Sequence, residues 1–163
     1  MPPTSKENKQ GPGIPDGLRS TGCRCAIVAS RFNARIVDRL VEGALEAFEK
    51  TGTVSDGVKL LRVPGAFELP LAAQRLAEAS EYDAIVALGC VVRGETPHFE
   101  YVSRAAADGL LRVSLELGIP VAFGVLTTDT VAQAMARAGG EAGNKGFDAA
   151  IAAIEMVHLL RDL

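Results

Sequence analysis

Ala84-Ile-Val-Ala-Leu-Gly-Cys-Val-Val-Arg-Gly-Glu-Thr-Pro-His98 is the stretch on which the fold turns. Its opening run, Ala84–Leu88, is apolar without alternation, which suits a strand buried on both faces. From Gly89 the chain reads as a glycine-containing loop at the strand's carboxyl end. Thr96 and Pro97 then read as the N-cap and first position of a long helix.

The same order repeats to either side. Upstream, Cys25–Ala29 is a short apolar run, followed by Ile36, Val37, Leu40, Val41, Ala44, Leu45 and Phe48 on one helical face that Gly52 stops. Val58–Val63 reads as the next strand. Pro64-Gly65 then turns the chain into a helix with Pro70 in its first turn and Leu71 and Leu76 beyond. Downstream, the helix opened by Pro97 continues through Val102, Ala106, Leu110 and Leu117, and Pro120–Leu126 reads as the last strand. Thr130 and Gln133 form a capping box for a short helix expected to end at Gly139-Gly140. A final helix carries Phe147, Ile151, Ile154 and Val157. Strands apolar on both faces, alternating with helices, predict an α/β fold: a three-layer sandwich with a four-stranded parallel sheet and helices on both faces.

In such sheets ligands bind in the crevice beyond the carboxyl ends of the strands. The unusual residues fall there: Ser30–Asn33, Pro64–Glu68, Gly89–His98 and Thr127–Asp129. That coincidence points to an enzyme acting on small molecules. Neither GxGxxG nor GxxxxGK[ST] occurs, which disfavours dinucleotide and P-loop readings.

Composition narrows the class further. A chain of 163 residues, 48% hydrophobic, suits one domain that needs neither disulfide nor structural metal. With net charge −3 and no basic stripe interleaved with aromatics, nucleic acid is not expected as a partner. Cys23, Cys25 and Cys90 make an odd set without a CxxC pair, which reads as free thiols in a reducing compartment. Cys23-x-Cys25 is read as alternation on an early strand, and no metal site is expected. With no long apolar run and no signal-like N-terminus, neither membrane contact nor secretion is expected, and the location reads as cytoplasmic. Residues 1–20, with four Pro and three Gly, read as a flexible tail ahead of a single domain over 21–163.

Several side chains are candidates for chemistry. The helix start at Thr96-Pro97 offers free N–H groups and the positive end of the helix dipole, an anion cradle. His98, one of only two histidines, lies in that first turn and is the candidate acid/base. His158, near the end of the last helix, reads as a dipole-compatible surface residue. Phe32 can stack on a planar ring or staple the helix entry. Glu68 can accept from substrate hydroxyls or simply complement a helix start, and Arg137 can clamp phosphate or complement a helix end. Lys145 reads as a loop residue. Cys90 has no base placed to make it a nucleophile.

Taken together, Ser30-Arg-Phe-Asn33, Val63-Pro-Gly-Ala-Phe-Glu68, Gly89–Phe99, Phe123-Gly-Val-Leu-Thr-Thr128, Arg137-Ala-Gly139 and Gly143-Asn-Lys-Gly146 resemble the lumazine synthase family, from about Cys25 to Leu160. The resemblance implies a flavodoxin-like fold and a transferase of riboflavin biosynthesis with no cofactor. Such an enzyme condenses 5-amino-6-(D-ribitylamino)uracil with 3,4-dihydroxy-2-butanone 4-phosphate to 6,7-dimethyl-8-ribityllumazine, releasing phosphate and water.

By the same resemblance, Phe32 stacks on the pyrimidine, while Ala66, Phe67 and Glu68 hold the ribityl chain and ring. The backbone of Cys90, Val91 and Val92 reads the pyrimidine edge. Glu95 and Thr96 belong to the phosphate loop, and His98 shuttles protons. Phe123 and Arg137 match positions supplied by the adjacent subunit, with Arg137 on the phosphate. The family also implies a homo-oligomer, either a pentamer or a 60-subunit icosahedral shell, and riboflavin synthase as a partner. Glu141 stands where shell-forming members often carry Lys, but the turn before Gly143-Asn144 has no insertion, which favours the shell. The alternative is a non-catalytic flavin-binding or shell-forming protein of the same fold. A flavodoxin-like electron carrier is disfavoured, because Ser30–Asn33 lacks a Ser/Thr/Gly-rich phosphate loop.

Overall fold

The computed structural model describes residue 11 and residues 13–163. Four strands, β1 (Cys25–Ser30), β2 (Lys59–Val63), β3 (Ala84–Val92) and β4 (Val121–Thr128), form one parallel sheet in the order β2-β1-β3-β4. Helices α1 (Ala34–Thr51) and α5 (Lys145–Arg161) pack together on one face, and α2 (Leu69–Glu78) and α3 (His98–Leu117) on the other. The short α4 (Val131–Ala136) follows β4, and β5 (Ala138–Gly140) with β6 (Gly143–Asn144) makes a small antiparallel hairpin.

The lack of alternation in the strands has its cause here. Cys25, Ile27 and Ala29 of β1, with Val86 and Leu88 of β3, enter the core under α1 and α5. Ala26 and Val28, with Ile85 and Ala87, enter the core under α2 and α3. Both faces are covered, so the two central strands are apolar but for the buried Ser30 at the end of β1 and the small Gly89 of β3. Each fully buried Ile, Leu or Val contributes roughly 1.5–3 kcal/mol.

Helix α1 buries the periodic face expected of it, from Ile36 to Phe48. It ends at Gly52, whose φ of 113° closes the helix in the left-handed conformation that glycine alone adopts freely. The Thr130–Gln133 capping box forms in both directions, each contact at 3.2 Å.

Five local expectations are corrected. β3 does not stop at Leu88: it continues to Val92 because β4 pairs with it as far as Val92↔Thr128. Gly89 is therefore not a loop glycine. It lies within the strand, where a Cβ would come within 3.2 Å of Leu69 and 3.3 Å of Ser30, so its small size serves packing. α3 begins at His98, with Pro97 as N-cap and no side-chain cap, one residue later than Thr96-Pro97 suggested. α4 stops at Ala136, and Gly139-Gly140 belong to a hairpin strand that uses the left-handed φ of Gly139. Lys145 opens α5 rather than lying in a loop, and its Nζ pairs with Asp148 at 3.0 Å. His158 lies in the last turn of α5 as expected of a dipole-compatible cation, and its Nε2 also donates to the Arg19 carbonyl.

Residues 1–10 and 12 of the expected tail lie outside the described residues. Within its remainder, Ser20 is buried and its hydroxyl donates to the Phe48 carbonyl at 3.1 Å, while Leu18 packs against the core. Among the described residues no helix is long and apolar enough to cross a membrane.

Candidate active site

Three parallel strands end side by side, and the turns that leave them line one cavity of about 750 Å³. The wall nearest β1 is Phe32. Its N–H donates to the Pro64 carbonyl at 3.0 Å, and Arg31 N–H donates to Val63 at 2.8 Å, so the turn after β1 is pinned to the end of β2. The ring itself is 71% exposed. A staple packed into the helix entry would be covered, so the stapling role considered for Phe32 does not fit.

The turn after β2 supplies Ala66, Phe67 and Glu68 as a single 3₁₀ turn running into α2. A Glu68 carboxylate oxygen accepts from the Gly65 N–H at 2.9 Å and fixes the turn. The other oxygen has no partner among the described residues and is available for a donor in the cavity.

β3 contributes Cys90, Val91 and Val92. The Cys90 side chain is buried in the core, and burial pushes its thiol up to about 11. A neutral thiol facing the core is no nucleophile near neutral pH, which leaves the backbone of this segment as its polar offering. Beyond it, Gly94, Thr96 and His98 reach the cavity. Glu95 is exposed and does not line it.

Arg93, whose role no sequence motif marks, organises this loop. Its N–H donates to Thr128 at 2.8 Å, its guanidinium meets Asp129 at 2.7 Å and Glu100 at 3.6 Å, and it lies 4.5 Å over the Phe99 ring. One side chain thus straps the ends of β3 and β4 to the first turn of α3, on which His98 sits. The partners are local only once β4 lies beside β3, so no sequence spacing reveals them.

The expected residues do not all meet. Phe32, Ala66, Phe67, Glu68, Cys90, Val91, Val92, Thr96 and His98 line the cavity together. Phe123 does not line it: it lies on the edge strand β4, half exposed, in an adjoining groove with Thr127 and with Tyr101, which lines both. Arg137 follows α4, and its guanidinium donates to the Gln133 carbonyl at 3.0 Å, away from the cavity. The lining therefore has a ring face, a carboxylate and an imidazole, but no Lys or Arg.

Comparison with known proteins bears on the same residues. A family model described as 6,7-dimethyl-8-ribityllumazine synthase matches residues 22–161. A protein of Syntrophus aciditrophicus (strain SB) named 6,7-dimethyl-8-ribityllumazine synthase is 52% identical over 153 residues, which cover 93% of this chain and 99% of that protein.

Proposed function

This chain belongs to the 6,7-dimethyl-8-ribityllumazine synthase family, and from that premise we propose how its residues divide the work. It is a transferase of riboflavin biosynthesis that joins 5-amino-6-(D-ribitylamino)uracil to 3,4-dihydroxy-2-butanone 4-phosphate, releasing phosphate and water. The observation that carries the assignment of roles is the cavity's lining, which offers a flat apolar face, a hydroxyl acceptor and a proton carrier in one place.

Phe32 stacks on the pyrimidine, and backbone groups of Cys90, Val91 and Val92 read its edge. Ala66, Phe67 and Glu68 hold the ribityl chain, with the free oxygen of Glu68 accepting from its hydroxyls. The substrate's own amine attacks the ketone, so no enzyme amine is needed to form the imine. His98 takes and returns protons as water leaves, as phosphate is eliminated, and as the ring closes. Holding both substrates together supplies up to about 7–11 kcal/mol of the barrier reduction, and one placed acid/base adds roughly 10²–10⁴-fold. The ketone's phosphate lies at the loop of Glu95 and Thr96 before α3, with backbone groups and the helix dipole facing it.

A phosphate ester in a cavity without a cation is poorly neutralised. That lack supports a second copy of the chain bringing Arg137 and Phe123 to the open side, in a closed ring of five. Tyr101, Leu111 and Leu115, all exposed along α3, are apolar surface that such a neighbour would cover. The tight turn of Glu141 and Ala142 between β5 and β6 favours assembly of rings into a shell of sixty. Buried, free Cys23, Cys25 and Cys90 favour a reducing, cytoplasmic setting. Mixing purified protein with both substrates should generate lumazine absorbance together with free phosphate. Absence of both would defeat the assignment.

A further inference from the structure

Asn33 combines features that the roles above leave unused. It is the N-cap of α1, yet its side chain caps nothing, and the first helical N–H groups, those of Ile36 and Val37, go to its backbone carbonyl instead. It holds a left-handed backbone, φ 58° and ψ 42°, which few residues other than Gly and Asn adopt readily. Its side-chain amide leaves the helix and donates to the Cys90 carbonyl at 2.8 Å. Pairing of β1 with β3 ends at Ala29↔Leu88, so a β3 carbonyl pointing that way at Cys90 has no ladder partner. Asn33 supplies one.

We infer that Asn33 is a positioning residue that fixes the gap between the Phe32 ring and the Cys90–Val92 edge. Phe32 is held to β2 by its own N–H, and Asn33 holds the same turn to β3. A flat ring stacked on Phe32 must also reach the β3 backbone, so the width of this gap sets its binding. The inference rests on the placement of the pyrimidine proposed above.

The test uses Asn33→Gly and Asn33→Asp beside Phe32→Ala. Glycine keeps the backbone and removes the donor, while aspartate keeps the size and sets a carboxylate against a carbonyl. Steady-state kinetics should show KM for the pyrimidine raised about 3–10-fold in Asn33→Gly and further in Asn33→Asp. kcat and KM for the phosphorylated ketone should stay within about twofold of wild type. A merely structural role would lower kcat through lost folded enzyme and leave both KM values alone; that pattern, or unchanged kinetics, overturns the inference. Phe32→Ala separates the two ideas. If it raises the pyrimidine KM and Asn33→Gly does not, the positioning role alone falls. If Phe32→Ala leaves that KM unchanged, the ring placement fails and the positioning role falls with it. Should Asn33→Asp fail to fold, Asn33→Gly decides alone.

Discussion

His98 owes its position to neighbours more than to any bond of its own. It is the first residue of α3, exposed, just beyond a loop that Arg93 straps to Asp129 and to Glu100 of the same helix. An acid/base so placed should matter without being indispensable, because two substrates held together retain much of the advantage. His98→Ala is expected to lower kcat roughly 10–10⁴-fold while leaving measurable turnover. Wild-type kcat in a folded variant would remove His98 from the mechanism. His98, Phe32 and Glu68 were legible in the sequence because each is an unusual residue at a strand end. Arg93 and Asn33 were not, since the partners that give them meaning, Asp129 and Cys90, lie 36 and 57 positions away.

Helices α1 and α5 show how contact distance overrules propensity. In α5, Gly146 sits against α1 so closely that a Cβ would collide with the Leu40 carbonyl, which is backbone and cannot swing aside. Alanine is the better helix former by about 1 kcal/mol, but overpacking of this kind costs about 1–3 kcal/mol. Gly146→Ala is therefore expected to destabilise. In urea the midpoint should fall while the slope holds, and a midpoint at or above wild type would show that the helices can part without loss. The hairpin β5–β6 is hidden in the sequence for a related reason. Gly139-Gly140 carries a helix-stop signal and a hairpin signal equally, and only the return of Asn144 beside Ala138 selects the second.

Taken whole, the chain is clamped at the end opposite the cavity. Asp83, just before β3, accepts from the Arg24 N–H at 2.7 Å and from the Arg24 guanidinium at 3.1 Å, with Arg161 of α5 at 3.4 Å. Burial alone would raise its carboxyl, yet the hydrogen bonds and charge of Arg24, aided by Arg161, hold it below the ordinary 3.8. A carboxyl depressed in the folded state stabilises above its unfolded value, and the benefit disappears as pH falls through the folded one. Asp83→Asn should thus cost about 1 kcal/mol near neutral pH, given the exposure of Arg24. The gap from wild type should close below about pH 3.9. A gap independent of pH would refute the ionic clamp.

At the other end, the proposed sharing of the site between copies makes a sharper demand. A His98→Ala subunit still offers Arg137, and an Arg137→Ala subunit still offers His98. Co-assembled at random in equal amounts, roughly a quarter of the contacts would join two intact halves. Activity should then rise well above either variant alone. If mass measurement proves co-assembly and activity stays at the parental average, each chain works by itself.

Fold class was settled by the sequence alone, because strands buried on both faces can hold no polar alternation and the apolar runs must therefore be continuous. The strand-end motifs likewise marked where the cavity lies, since polar, aromatic and glycine residues survive there only where the sheet's apolar demand stops. Tertiary structure alone decided where β3 ends, through pairing with β4 as far as Thr128. It alone brought Arg93 to Asp129 and Asn33 to Cys90. The physical reason is common to all three. Burial leaves a periodic imprint on neighbouring residues, whereas a hydrogen bond or an ion pair between distant residues leaves none until the strands lie side by side.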